Sequence, residues 1–169
     1  MEIVPIVVSL KRAFTRHGTQ LAYRSDESRF YWCNAAAPSL PIERGVYCLL
    51  SHGDTQIQKI GKADGQDGLL GRFRSYTGAK TAAKIAGDRT DQRWKRVMTG
   101  ALNGERLSLY YYVTPPQPTE FRLDGGFEPK QLECHWARSL EKYLSKLVRD
   151  EYTKRNLHET CLLLSGLAD

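Results

Sequence analysis

One short stretch decides what kind of fold this chain can reach. Val46-Tyr47-Cys48-Leu49-Leu50 is an unbroken apolar run of strand length. Gly53-Asp54 is a turn signal, and Gln56 to Gly61 is a second strand with Ile57 and Ile60 as its apolar positions. Two such runs joined by a Gly-Asp turn read as a β-hairpin. Each carries a glycine and polar side chains at one end: Gly45 and Tyr47 on the first, Lys59, Gly61 and Lys62 on the second. A polar loop, Asp64 to Gly68, leads into a short helix over Leu69–Tyr76 that delivers Arg72 and, four residues on, Tyr76. This order can gather a phenol, amines and a guanidinium around one phosphate.

The rest of the chain is compatible with an α+β arrangement built on that hairpin. Ile3 to Leu10 suits either a strand or a short helix, and Phe30-Tyr31-Trp32-Cys33 is an aromatic cluster before a proline-punctuated loop. Leu107–Val113 alternates and is rich in tyrosine, which predicts a third strand. Pro115 to Gly126 reads as a loop. Pro129 then opens the longest predicted helix, running to about Tyr152 with Trp136, Leu140, Leu144 and Leu147 as its apolar stripe. Between Arg72 and the third strand lies an enlarged, helix-prone segment. The expectation is a small three-stranded antiparallel sheet flanked by helices. Residues 1–40 would form an N-terminal extension packed on a domain spanning 41–169.

The chain has 169 residues, 41% of them hydrophobic and 26% charged, which suits one globular domain and argues against wholesale disorder. No apolar run approaches the roughly 20 residues that span a bilayer. The apolar start lacks a basic region and a small-residue cleavage site, so no signal peptide is expected. Cys33, Cys48, Cys134 and Cys161 show no paired spacing, and neither do His17, His52, His135 and His158. Reduced thiols in a cytoplasmic protein are therefore the expectation, with no membrane partner. The net charge is +6, and the segment 72–96 holds eight bases against two acids, an excess equal to that of the whole chain. A field so concentrated suits a polyanion such as nucleic acid, although the same run also fits a solvated helix face.

Gly45-Val46-Tyr47, Lys59-Ile60-Gly61 and Arg72 in this order resemble the GIY-YIG nuclease family, with the two triplets standing for the motifs that name it. The continuation Gly61-Lys62-Ala63 and the Arg72…Tyr76 spacing look like the nuclease half of the family's bacterial excision-repair enzymes. Ala137-x-x-Leu140-Glu141-x-x-Leu144 is similar to the helix that presents the family's glutamate, and Asn156 stands where an asparagine often follows. The resemblance covers residues 44–156 and leaves the first forty outside. The second triplet departs from the family: Lys59 replaces the name-giving tyrosine, so a phenol has become an amine.

What the resemblance implies is a metal-dependent endonuclease that hydrolyses DNA by water attack, using one Mg²⁺ or Mn²⁺. Tyr47, Lys59, Lys62, Arg72, Tyr76 and Glu141 would be its catalytic residues. Glu141 would hold the metal, with Glu133 as runner-up, and Asn156 would support the site. Arg74, Lys80, Lys84, Arg93, Lys95 and Arg96 would position the nucleic-acid backbone. DNA is the expected partner, with RNA left open, as is the choice between monomer and homodimer.

The chemistry suits these residue types. A guanidinium makes bidentate, charge-assisted hydrogen bonds to phosphate oxygens. A single carboxylate suits Mg²⁺, which keeps several of its waters. A free phenol, with a pKa of about 10, is a poor base near neutrality. A nearby ammonium from Lys59 or Lys62 would favour the phenolate of Tyr47. Whether Tyr47 or a lysine-assisted water is the base stays open. Taken singly, Tyr47 also reads as a core tyrosine, the lysines as strand-edge residues and Arg72 as an exposed helix residue. A non-catalytic nucleic-acid-binding module on the same fold is the main alternative. An interaction protein using its aromatic N-terminal cluster is the second.

Overall fold

Behind Pro5, apolar residues return at Ile6, Val7 and Leu10, one face of a helix, and helix α1 (Pro5–Ala13) forms with the proline at its first turn and Lys11 and Arg12 at its last. The computed structural model describes residues 4–24, 29–34, 39–51, 53–78, 105–132 and 136–154. Within them follow strands β1 (Thr15–Arg24), β2 (Arg29–Trp32), β3 (Gly45–Ser51) and β4 (Gln56–Ala63) and helix α2 (Gly68–Thr77). Strands β5 (Arg106–Val113), β6 (Thr119–Phe121) and β7 (Lys130–Leu132) and helix α3 (Trp136–Lys154) complete the order.

The architecture is α+β. Five strands form one antiparallel sheet in the order β2-β1-β5-β3-β4, and β6 pairs with β7 in a separate ribbon. The predicted hairpin is β3–β4, its turn made by Gly53 and Asp54, both at φ 65°, the left-handed conformation that tight hairpins favour. The predicted third strand is β5, which lies on the other side of β3.

Two expectations are corrected. The sheet has five strands, not three, because the first forty residues supply α1, β1 and β2. The alternation of β1 buries Leu21 and Tyr23 on the face that β5 fills with Leu107 and Leu109. The tip of the hairpin is tied to the same segment: the Arg16 guanidinium lies 3.3 Å from the Asp54 carboxylate, to which the Tyr110 hydroxyl also donates, at 2.9 Å. The longest helix begins at Trp136 rather than at Pro129, because Lys130–Leu132 pairs with Thr119–Phe121 and sends Leu132 and Phe121 into the core. Tertiary pairing here overrides a local helix-start signal. The helix-prone segment 79–104 lies outside the described residues.

The sheet is sandwiched between two cores. On one face Val46, Cys48 and Leu50 meet α1, the ribbon and the inner stripe of α3, namely Ala137, Leu140, Leu144, Val148 and Tyr152. Trp136 and Leu147, expected in that stripe, are half-buried at its margin. On the other face Tyr47, Leu49, Leu107 and Leu109 meet Leu69 and Phe73 of α2 and Phe30 of β2. Thus α2 and α3 lie on opposite faces, and both pack against β4, the strand at the sheet edge. Among the described residues, no helix is long and apolar enough to cross a membrane, and Cys33 and Cys48 are free thiols.

Because Leu21 is fully buried in the same core as Leu109, Leu21→Ala is expected to destabilise the protein by about 2–5 kcal/mol, the range of a large-to-small core change. Chemical denaturation measures this. A loss under about 0.5 kcal/mol, the scale of a surface substitution, would show that the first forty residues are not part of the core.

Candidate functional site

The site starts from the pairing of Tyr47 with Gly61 across β3 and β4. A side-chain carbon at Gly61 would collide with the Tyr47 ring and hydroxyl, so glycine is what lets the phenol lie across the neighbouring strand. Phe73 meets that ring edge-on, with centroids 4.9 Å apart. The Tyr47 hydroxyl pairs with the Tyr76 hydroxyl at 2.5 Å. Tyr47 is only 1% exposed. Burial pushes its phenol well above the ordinary tyrosine range, and Tyr76 pushes it further; Arg72 pulls the other way and Glu141 adds to the rise.

Loop carbonyls set the direction of α2. The amides of Leu69 and Leu70 donate to the carbonyls of Glu43 and Pro41 at 3.0 and 2.8 Å, satisfying donors that the first helical turn leaves orphaned. Gly68, at φ +49°, fits where the Ile42 and Glu43 carbonyls leave no room for a side chain. With its axis fixed, α2 presents Arg72 to the edge strand, where Nε donates to the Lys62 carbonyl at 3.1 Å. One turn on, Tyr76 is half-buried beneath two cations. Lys59 Nζ lies 5.6 Å from its ring centroid and Arg72 Cζ lies 6.0 Å from it, within the range of cation–π attraction.

A bulge in β4 decides where Ile57 points. Leu49 pairs with Lys59 but Leu50 pairs with Ile57, so one extra residue, Gln58, is inserted. Ile57 and Ile60 both enter the α3-side core although they are three apart, which regular alternation forbids. Lys59 keeps its regular alternation with Gly61 and, paired with Leu49, lies on the face of Tyr47. Lys62 pairs with Val46 and belongs to the α3 side.

From that side comes Glu141, half-buried on α3. Burial raises its carboxyl above the usual range; Lys62 and Lys59 oppose the rise, Asp64 adds to it and Arg72 opposes it. Asp64 accepts a 2.6 Å hydrogen bond from Lys62, which holds its carboxyl below the ordinary value. Thus Tyr47, Lys59, Lys62, Arg72, Tyr76 and Glu141, contributed by two strands and two helices, interact around the outer edge of β4. Arg74 is exposed on α2. Glu133, Lys80, Lys84, Arg93, Lys95, Arg96 and Asn156 lie outside the described residues, as do His52, His135 and His158. His17 is buried beside Trp32 and bonded to the Thr19 backbone. An open cleft between residues 125–131 and the outer face of α3 shares none of the site's side chains.

The sequence left open whether Tyr47 or a lysine-assisted water is the base. In the structure Lys59 lies over the Tyr76 ring and Lys62 is paired with Asp64, while burial raises the Tyr47 phenol. Asp64 escaped the sequence reading, where it stood as the first residue of a loop; the Lys62-x-Asp64 spacing, two residues on one side of an extended chain, was the available signal.

Among the described residues, no three His, Cys, Asp or Glu side chains gather as a metal-binding group. The site offers one desolvated carboxylate, Glu141. Comparison with protein-family models, with curated proteins and with solved structures finds no match.

Two outcomes test this geometry. Gly61→Ala is expected to cost about 1–3 kcal/mol, the scale of overpacking, and most of that cost disappears in a Tyr47→Ala background, as double-mutant denaturation would reveal. Glu141 has a folded-state pKa above its unfolded value, so the native state binds more protons between the two. Stability therefore falls as pH rises from about 4, the ordinary glutamate range, through the raised value, and stays lower above it. Glu141→Gln should be the more stable protein at pH 7, with the difference gone below about pH 4.

Proposed function

We propose that this protein is a metal-dependent endonuclease of GIY-YIG type that hydrolyses DNA phosphodiester bonds. One observation carries the reading: Arg72, from α2, bonds to the edge strand at the Lys62 carbonyl, and Glu141, from α3 on the opposite face, lies within electrostatic reach of Lys62, Lys59 and Arg72. A structural role for any of these residues singly would not require Lys59, Lys62 and Arg72, offset in part by Asp64, within electrostatic reach of one half-buried carboxylate. A scissile phosphate with its counter-ion matches that charge pattern, the anion facing the cations and the metal facing Glu141.

The donor set fits the ion. Glu141 is an oxygen ligand whose desolvation a divalent cation would offset, and one carboxylate is enough for Mg²⁺ or Mn²⁺ retaining waters. When bound there, the ion supplies Lewis-acid neutralisation of charge on a phosphate oxygen.

The chain's own groups do the rest. Arg72, anchored through Nε, is a preorganised positive charge for the non-bridging oxygens as charge builds at phosphorus. Lys59, on the face of Tyr47, adds a second. Tyr76 is the phenol at the surface of the cluster, and its hydroxyl, held by Tyr47, orients the attacking water or a phosphate oxygen. Tyr47 serves as the buried anchor of Tyr76 rather than as a base. Lys62 joins the cluster through Asp64 and helps compensate the charge of Glu141. The basic segment 72–96 would hold the DNA backbone and make binding strongly salt-dependent.

The burial of Tyr47 also favours a second reading, a nucleic-acid-binding module that keeps the fold and does not cut. A supercoiled-plasmid nicking assay with Mg²⁺ or Mn²⁺ separates the two. Wild type is expected to nick, and Arg72→Ala and Glu141→Gln to lose at least about 100-fold in rate, the scale of removing one transition-state contact. Equal nicking by all three would reject the site. Salt-sensitive DNA binding with no nicking would establish the second reading instead.

A further inference from the structure

The first forty residues lie outside the motif-bearing part of the chain, yet one of their strands reaches the site. Phe30 of β2 is buried at 4% exposure, and its ring centroid lies 5.9 Å from that of Tyr76. On its other side Tyr23 meets it edge-on at 5.3 Å. One residue pair along, Trp32 meets Phe73 at 5.9 Å. Phe73 in turn touches Tyr47 at 4.9 Å and Tyr76 at 5.5 Å. The Tyr76 ring is therefore bounded by Phe30, Phe73 and Tyr47, with Lys59 and Arg72 over it.

We infer that Phe30 is a positioning residue for Tyr76, so that the N-terminal hairpin β1–β2 completes the candidate site from the far side of α2. Tyr76 sits in the last turn of a helix whose end, at Thr77 and Gly78, is held by local bonds to Phe73 and Arg74. Such a turn frays unless its side chains are packed. Phe73 and Tyr47 fix one side of the phenol. Phe30 closes the other and sets the rotamer that directs the hydroxyl to Tyr47 and the ring face to the cations. An aromatic surface does this better than an aliphatic one, since ring edges and faces have preferred orientations. The inference rests on the nuclease reading for its consequence in catalysis, but the contact itself can be tested apart from it.

The test uses the full chain labelled with 3-fluorotyrosine, the Tyr76 fluorine resonance being assigned with Tyr76→Phe. Phe30→Leu, and Phe30→Met should the first fail to fold, are compared with Leu107→Ala, a buried site of the same core without a ring. The Phe30 variants are expected to shift the Tyr76 resonance and to lower kcat for plasmid nicking by roughly 10- to 100-fold, the cost of a small misplacement. KM should change far less, because the lost interaction orients rather than binds. Leu107→Ala should lose comparable stability while leaving the resonance and kcat close to wild type. An unmoved Tyr76 resonance overturns the inference whether or not the protein cuts DNA. So does a kcat loss that follows stability equally in the Phe30 and Leu107 variants. A wild-type protein that never nicks defeats the nuclease reading, and the resonance then still decides the contact.

Discussion

A buried hydroxyl needs a partner, and in this protein the need of one tyrosine ties two elements together. Tyr47 lies across Gly61 with almost no solvent contact, so water cannot satisfy its phenol. Tyr76 does, at 2.5 Å. That bond fixes the last turn of α2 to the middle of the β3–β4 hairpin, as the loop carbonyls fix its first turn. Arg72 lies between those two anchors, and its approach to the Lys62 carbonyl follows from both. Tyr47, the tyrosine of the first triplet, is therefore a buried phenol raised well above the ordinary range.

Electrostatics at the edge of β4 set burial against charge. Lys62, Lys59 and Arg72 all act to lower the Glu141 carboxyl, yet burial still raises it. Opposite charges close by lower a carboxyl and desolvation raises it; here desolvation prevails. A carboxylate kept in that state weakens the fold at neutral pH. Carboxyls shifted by desolvation beside specific charges cluster at functional sites, where a ligand offsets their cost.

Local signals made the centre of the fold legible in the sequence and left its periphery obscure. The apolar run, the Gly-Asp turn and the tyrosine-rich third strand each report their own structure, and β3, β4, α2 and β5 formed where expected. The sequence also named the residues that surround β4. It did not disclose β1 and β2, because Thr15–Arg24 interleaves polar and apolar residues without clear punctuation and draws its burial from β5. Nor did it disclose β7, a three-residue strand that exists only because β6 lies beside it. The spacing of Ile57 and Ile60 did contain the bulge: two apolar residues three apart in one strand cannot share a face unless a residue is inserted between them. That insertion turns Ile57 to the α3 side, while Lys59 keeps its regular alternation with Gly61 on the face of Tyr47.

The departure at Lys59 thus has a structural answer. A tyrosine there would add another ring to a face already crowded by Tyr47, Phe73, Tyr76 and Phe30. A lysine instead passes its flexible stem along that apolar surface and places its ammonium over the Tyr76 ring, the behaviour expected of long amphipathic side chains. The exchange trades one more phenol for a positive charge beside Arg72. On the proposed reading, the exchange favours anion binding over acid–base chemistry at this position and leaves Tyr76 to supply the hydroxyl. A site rearranged in this way depends more on the packing that holds Tyr76, which is why the aromatic wall from β2 matters to a centre whose recognisable motifs all lie beyond residue 44.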